Sequence, residues 1–192
     1  RITVTTESLG TAVSDQYGAN LSDRIRHVPN GVDTELFEPR DERTDEGSEA
    51  DERPVVVYTG NIGSAQPLEP CIRAMDDLSH DAILRFVGDG DERSRLEGLT
   101  ERLGLEDSVE FVGLVDREAV PGHINDAAVG LAPIKDAPQL SYAMPTKTYE
   151  YLACGVPVVV TGRGEVRRFA EESGGGRHAE VDPAAIAEAL DG

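Results

Sequence analysis

The segment Ser141-Tyr142-Ala143-Met144-Pro145-Thr146-Lys147-Thr148-Tyr149-Glu150 holds the residues whose types and spacing best suit chemistry. Pro145 is placed to open a helix, whose free N–H groups and positive dipole end attract an anion. Lys147 and Glu150 lie three residues apart, on one face of that helix. A cation near a helix N-terminus opposes the dipole, so Lys147 gains a reason to be there when an anion such as a diphosphate joins it. A carboxylate one turn deeper is suited to accept two hydrogen bonds from the hydroxyls of a ribose. The alternative is a surface i,i+3 ion pair, with a contribution on the order of a few tenths of a kcal/mol.

Three glycine-rich stretches follow apolar runs: Gly60-Asn61-Ile62-Gly63, Gly88-Asp89-Gly90 and Gly113-Leu114-Val115. Glycine allows positive φ and lets a backbone approach a phosphate or a base, although glycines also simply end strands. None of the three has the Gly-x-Gly-x-x-Gly spacing, and no Gly-Lys-Ser/Thr is present. This argues against a nicotinamide dehydrogenase and against a P-loop NTPase.

The elements that must position these residues alternate. Strands are expected over residues 2–6, 24–28, 55–58, 83–87, 109–112, 129–133 and 158–160. Helices are expected over 8–17 (capped by Ser8), 67–78 (with Pro67 at its first position), 92–103, 118–125, 145–153, 165–172 and 183–190. Apolar strands alternating with helices predict an α/β fold, a doubly wound parallel sheet of Rossmann type. In such a sheet ligands bind at the carboxyl ends of the strands, where the glycine stretches fall. Residues 38–53 are almost all charged or polar and are expected to form an acidic linker or loop.

Composition bounds the rest. The 192 residues, 39% hydrophobic with 20 Gly, are enough for a real core. No apolar run nears the ~18–20 residues that span a bilayer, and no signal peptide is visible. The chain starts at Arg1 without Met and is expected to be an excerpt of a longer protein. Eighteen Lys+Arg against 37 Asp+Glu give a net charge of −19, and only Lys135 and Lys147 are lysines. A nucleic-acid partner is excluded for want of a basic stripe. The spread of acid over helix faces suggests a salt-adapted host. Cys71 and Cys154 fit buried thiols in a reducing cytosol, and His27, His80, His123 and His178 fit structural or neutral roles.

With these residues in view, the chain resembles the family 4 (group 1) glycosyltransferases of the GT-B fold. Val28-Pro29-Asn30-Gly31-Val32-Asp33, with Phe37 and Pro39, resembles the signature at the junction of their two domains. Tyr58–Gly63, with Gln66-Pro67-Leu68-Glu69, is similar to their first glycine loop. Phe86-Val87-Gly88-Asp89-Gly90, Leu103-Gly104-Leu105 and Val109-Glu110-Phe111-Val112-Gly113 follow in the family's order. Pro145-x-Lys147-x-x-Glu150-Tyr151-Leu152-Ala153-x-Gly155-x-Pro157-Val158-Val159 resembles the form found in transferases that build polysaccharides and lipid-linked saccharides.

The resemblance implies one half of a two-domain GT-B fold. Residues 1–37 would be the end of the acceptor domain and the junction, 38–53 the linker, and 54–192 the sugar-nucleotide-binding domain. It implies sugar transfer from a nucleoside-diphosphate sugar, UDP-linked by preference, to an acceptor hydroxyl with retention at the anomeric carbon. No metal or cofactor is expected. The partners implied are the sugar nucleotide and an acceptor saccharide or lipid-linked saccharide. The setting is cytoplasmic, at the inner face of the cell membrane if the missing N-terminal domain binds there. Lys147 and Glu150 would carry catalysis. Gly60, Asn61, Ile62, Gly63 and Gln66 would lie along the diphosphate and sugar, and Gly113, Leu114 and Val115 along the base. Gly88, Asp89, Tyr142, Pro145 and Thr146 complete the expected binding set.

There are departures from the family pattern. Tyr142 stands eight residues before Glu150, where the first glutamate of the family's pair belongs, and Asn61 and Gln66 replace an arginine and a lysine. The alternatives are a non-catalytic or truncated nucleotide-binding domain and a GT-B-type sugar-nucleotide epimerase. An isolated 192-residue chain is expected to bind nucleotide but to transfer little.

Overall fold

Apolar, β-branched stretches form the strands here because a parallel sheet covered on both faces accepts apolar side chains at every position. The computed structural model describes residues 1–40 and 53–192. Near the start, β1 (Ile2–Val4) and β2 (Ile25–His27) pair in parallel, Ile2 opposite Ile25, with α1 (Glu7–Tyr17) between them in sequence. The larger sheet contains β3 (Val55–Thr59), β4 (Ile83–Val87), β5 (Val109–Gly113), β6 (Val129–Ala132), β7 (Val158–Thr161) and β8 (Gly176–Ala179). Its helices are α2 (Leu68–Asp77), α3 (Arg93–Leu103), α4 (Val120–Asn125), α5 (Thr146–Ala153), α6 (Glu165–Ser173) and α7 (Pro183–Asp191).

The strand order is β5-β4-β3-β6-β7-β8, and every pair is parallel. Winding reverses beside β3, which pairs with β4 on one side and β6 on the other. The crevice at the carboxyl ends of β3 and β6 is where a doubly wound sheet binds ligands. Alternate strand residues feed opposite layers. Val56, Tyr58, Leu84 and Phe86 pack with α2, α3 and α7 through Ile72, Leu96 and Ile186. Val57, Val87, Val158 and Val160 pack with α4, α5 and α6 through Ile124, Tyr151 and Val166.

The structure corrects several boundaries. The cap of α1 is Thr6, whose hydroxyl accepts the Leu9 N–H at 3.4 Å; Ser8 lies inside the helix. Pro67 is the N-cap of α2 rather than its first residue. The expected helix 118–125 divides into a 3-10 turn, Arg117–Ala119, and α4. β8 and the 3-10 turn Ala19–Arg24 have no counterpart in the sequence-based expectation. Both cysteines are buried free thiols, and burial pushes Cys71 up to about 12 and Cys154 up to about 11.

The junction segment is fastened to the larger unit. Asn30 Nδ2 donates to the Met144 carbonyl at 3.2 Å, and Phe37 is buried in the layer of α4, α5 and α6. Of the expected linker 38–53, residues 41–52 lie outside the described residues. Before them, Asn125 of α4 donates to the Glu38 carbonyl and accepts the Arg40 N–H, while Arg40 pairs with Asp126 at 2.8 Å.

Candidate functional site

The site is built around α5, which Tyr151 fixes to the switch point. The Tyr151 hydroxyl accepts the Thr59 N–H at 2.9 Å and donates to the Leu131 carbonyl at 3.2 Å, joining α5 to the ends of β3 and β6. Its ring lies against Gly130, where a Cβ would collide with it. Anchored this way, the first turn of α5 faces the cleft. Pro145, extended at φ −64°, is the N-cap.

Lys147 reaches back over β3, its Nζ 3.6 Å from the centroid of the Tyr58 ring. A cation on an aromatic face is held by the ring quadrupole. Among the described residues Lys147 has no carboxylate within ion-pairing distance, which disposes of the surface-pair alternative. Burial pushes the Lys147 ammonium down to about 7, opposed by the Glu150 carboxylate. Burial also raises the Glu150 carboxyl above its usual range, opposed by Lys147 and Arg117. Each charge is thus partly desolvated and, among the described residues, in no ion pair, as in a site prepared for a polar ligand.

Opposite α5 the three glycine turns are hydrogen-bonded into one wall. Gly60 N–H donates to the Val87 carbonyl, Ile62 N–H to the Asp89 carbonyl and Gly88 N–H to the Gly113 carbonyl, each at 2.8 Å. Gly88, at φ +143°, must be glycine because a Cβ would run into the Gly60 carbonyl. Gly60, at φ +114°, lies beside the Lys147 side chain. Asp89 turns its carboxylate onto the Gly90 N–H at 2.8 Å.

These parts enclose a cleft of about 640 Å³. Of the residues expected from sequence, Gly60, Asn61, Gln66, Gly88, Asp89, Leu114, Val115, Thr146, Lys147 and Glu150 line it together. Ile62, Gly63, Gly113, Tyr142 and Pro145 do not. Ile62 is fully buried in the core, and Gly113 serves the wall through its carbonyl. The Tyr142 carbonyl accepts the Thr6 hydroxyl at 3.1 Å.

Sequence reasoning missed Tyr58, Thr59, Phe37, Val87, Val120 and Arg117, which also line the cleft. Tyr58 was signalled by its place at the head of the stretch similar to the first glycine loop, without a role assigned to it. Arg117, paired with Asp33 at 3.7 Å, is hidden among acids in Asp116-Arg117-Glu118. None of the four histidines lines the cleft, and among the described residues no group of three or more His, Cys, Asp or Glu could hold a metal ion. A second cavity, about 360 Å³, opens at the amino-terminal edge of the sheet between Leu78, His80, Arg177 and Leu190. It is the wrong edge for a ligand of a parallel sheet. Among the described residues no helix is long and apolar enough to cross a membrane.

Comparison with known proteins agrees with this fold. A family model described as "Glycosyl transferases group 1" matches residues 53–192. A GDP-mannose-dependent alpha-(1-6)-phosphatidylinositol monomannoside mannosyltransferase of Mycolicibacterium smegmatis is 29% identical over 160 residues, covering 73% of this chain and 39% of that protein. Sucrose-phosphate synthase from Thermosynechococcus elongatus superimposes with a TM-score of 0.79 at 25% identity, over 98% of this chain and 47% of that one. Anabaena HepE, solved with UDP and glucose, shares the fold at a TM-score of 0.70 and 19% identity, over 97% of this chain and 51% of that one. The chain thus spans about two fifths of the mycobacterial relative and about half of these solved chains, and corresponds to one half of a GT-B architecture. By the match over residues 53–192 and this architecture, the chain belongs to the group 1 glycosyltransferases.

Proposed function

We propose that this chain is the donor-binding half of a glycosyltransferase that moves a sugar from a nucleoside-diphosphate sugar to an acceptor hydroxyl. One observation carries the reading: Lys147 and Glu150, on the first turns of α5, face the glycine wall across a cleft at the switch point. In this role Lys147 and the free N–H groups of α5 hold the diphosphate and stabilise charge developing on it as the sugar leaves. Glu150, with no side-chain partner among the described residues, accepts the ribose hydroxyls. Asn61 and Gln66 lie along the diphosphate and sugar, and Leu114 and Val115 along the base. Residues 1–37 would close the acceptor side.

Transfer would proceed with retention and without a metal or cofactor, in assembly of a polysaccharide or a glycolipid or glycoprotein glycan. The acceptor would be a saccharide or lipid-linked saccharide, and the setting the cytoplasm at the inner face of the membrane. Uridine is the base favoured by the family resemblance, and UDP bound to HepE supports it. The mycobacterial relative, GDP-mannose-dependent by name, makes guanosine the competitor. A second reading, nucleotide binding without turnover, draws support from Tyr142 standing outside the cleft and from the neutral Asn61 and Gln66 inside it. The acidic, lysine-poor surface we read as adaptation to salt.

The test is thermal unfolding with UDP, GDP or ADP in molar KCl. A nucleotide at a hundred times its Kd adds roughly 2.7 kcal/mol of stability. We expect one nucleotide to raise Tm, and Lys147→Ala and Glu150→Ala each to abolish the rise. Folded protein that responds to none of the three would overturn the reading.

A further inference from the structure

Tyr58, near the carboxyl end of β3, touches both walls of the cleft. Its hydroxyl donates to the Asn61 carbonyl at 2.6 Å and so holds the turn that carries Gly60 and Asn61. Its ring face carries the Lys147 ammonium, with Nζ 3.6 Å from the centroid. Phe86 of β4 braces the same ring at 5.7 Å between centroids, and Phe111 of β5 stacks on Phe86 at 5.0 Å. Burial raises the Tyr58 hydroxyl above its usual range, so it remains a donor near neutral pH.

The groups that act on Lys147 come from three elements. Glu150 of α5 favours its charged form, and Arg117 acts in turn on Glu150. The Cys71 thiol of α2, pushed up to about 12, is uncharged near neutrality. From β3 come the Tyr58 ring and Gly60, where a Cβ would lie 3.5 Å from Nζ. The Tyr151 hydroxyl is occupied by Thr59. A ring face attracts an ammonium and does nothing comparable for a neutral amine. The Tyr58 ring therefore holds a long, flexible side chain in one place and only in its charged form.

Resting on the donor-site reading above, we propose that Tyr58 is a positioning residue: its ring holds the Lys147 ammonium beside Gly60 in the free and the nucleotide-bound protein, and its hydroxyl holds the glycine turn opposite. A distinctive pH dependence follows. At low pH Lys147 is charged in both states, so the ring contact cancels from the binding equilibrium. At high pH it is charged only in the complex, and the ring then contributes to affinity.

The test compares wild-type protein, Tyr58→Phe, and chains in which position 58 carries phenylalanine with one, two or three ring fluorines. Fluorine draws electrons from the ring face and nearly preserves its shape. The Lys147 titration midpoint is read by NMR without ligand, and affinity for UDP, GDP and ADP by calorimetry at about pH 5.5 and about pH 8. Tyr58→Phe should leave the midpoint in place and weaken binding about two- to tenfold at both pH values, through the freed turn. Along the fluorinated series the midpoint should fall stepwise, by about one pH unit in all. Affinity should fall with it, by up to about tenfold at the higher pH and less than about twofold at the lower. A midpoint that stays fixed along the series would overturn the inference, as would equal weakening at both pH values, which makes the ring a packing element only. Affinity that rises with fluorine at the lower pH would also overturn it, because Lys147 would then leave the ring on binding. Unchanged affinity in Tyr58→Phe would remove the role of the hydroxyl. Wild-type protein that binds none of the three nucleotides would instead overturn the donor-site reading, and this inference with it; the midpoints measured without ligand keep the two failures apart.

Discussion

Lys147 stands where its own charge is disfavoured, under Tyr58 and behind Gly60, and the consequence is measurable. The unfolded chain holds this proton to about pH 10.4, whereas the folded protein releases it near pH about 7. Between these values the unfolded state binds more protons, so this residue makes stability rise with pH across that window; below it the penalty is full. Lys147→Met should therefore stabilise the ligand-free protein, most at pH 6 and not at all above about pH 10.4. Each kcal/mol of relief raises Tm by ~2–4 °C in a domain of this size. Scans at both pH values check it, and a lower Tm at pH 6 would refute the burial argument. The same proton governs binding. A diphosphate restores it, so affinity should fall as pH rises from 7 to 9, by up to about tenfold per unit. At this scale the sequence was informative where a residue was out of place. A lysine at a helix start, one of two in the chain, marked the site before any coordinates. Arg117 and the two contacts of Tyr58 were not legible, because pairing belongs to the fold and not to residue type.

Among the elements, α5 carries the site, and its setting depends on one hydroxyl. Tyr151 Oη serves the N–H of Thr59 in β3 and the carbonyl of Leu131 in β6, so the helix follows the two strands that flank the switch point. In Tyr151→Phe the Thr59 N–H would be buried without an acceptor, at a cost of about 1–3 kcal/mol. Urea unfolding should show a lower midpoint with an unchanged slope, since the surface exposed on unfolding stays the same. No change in midpoint would mean that packing against Gly130 alone sets the helix. The strands around this point were legible because apolar runs such as Val55-Val56-Val57-Tyr58 suit no exposed structure. β8 was not: Gly176-Arg177-His178-Ala179 has no strand pattern of its own and takes its conformation by pairing with β7 at the edge of the sheet. Likewise Ser8 looked like a cap from composition, but the chain enters α1 two residues earlier, at Thr6.

Over the whole molecule, charge is the dominant feature, and two opposed effects act on it. Arginines are matched with carboxylates in exposed pairs, among them Arg73 and Arg95 on Glu69, Arg93 with Glu97, and Arg167 with Glu171. Such pairs contribute about 0–1 kcal/mol each and weaken as salt screens them. Against this stands the excess of 37 acids over 18 bases, a net −19 on 192 residues, whose mutual repulsion the folded state concentrates and the unfolded chain disperses. The pairs act over a few ångströms, whereas the unmatched charges repel over a Debye length, which shrinks from about 10 Å at 0.1 M to about 3 Å at 1 M salt. Screening therefore removes more repulsion than attraction. Tm is expected to rise from 0.1 to 2 M KCl, most steeply at the low end, where the Debye length changes fastest. Sodium sulfate also strengthens apolar burial by exclusion from the surface; KCl at matched ionic strength isolates the charge effect. Replacing the exposed acids Glu101 of α3 and Glu172 of α6, unpaired among the described residues, by glutamine should flatten the KCl dependence and raise Tm at low salt. A Tm that stays level or falls with KCl would show that the ion pairs outweigh the excess charge, and would remove the basis for reading this surface as salt-adapted.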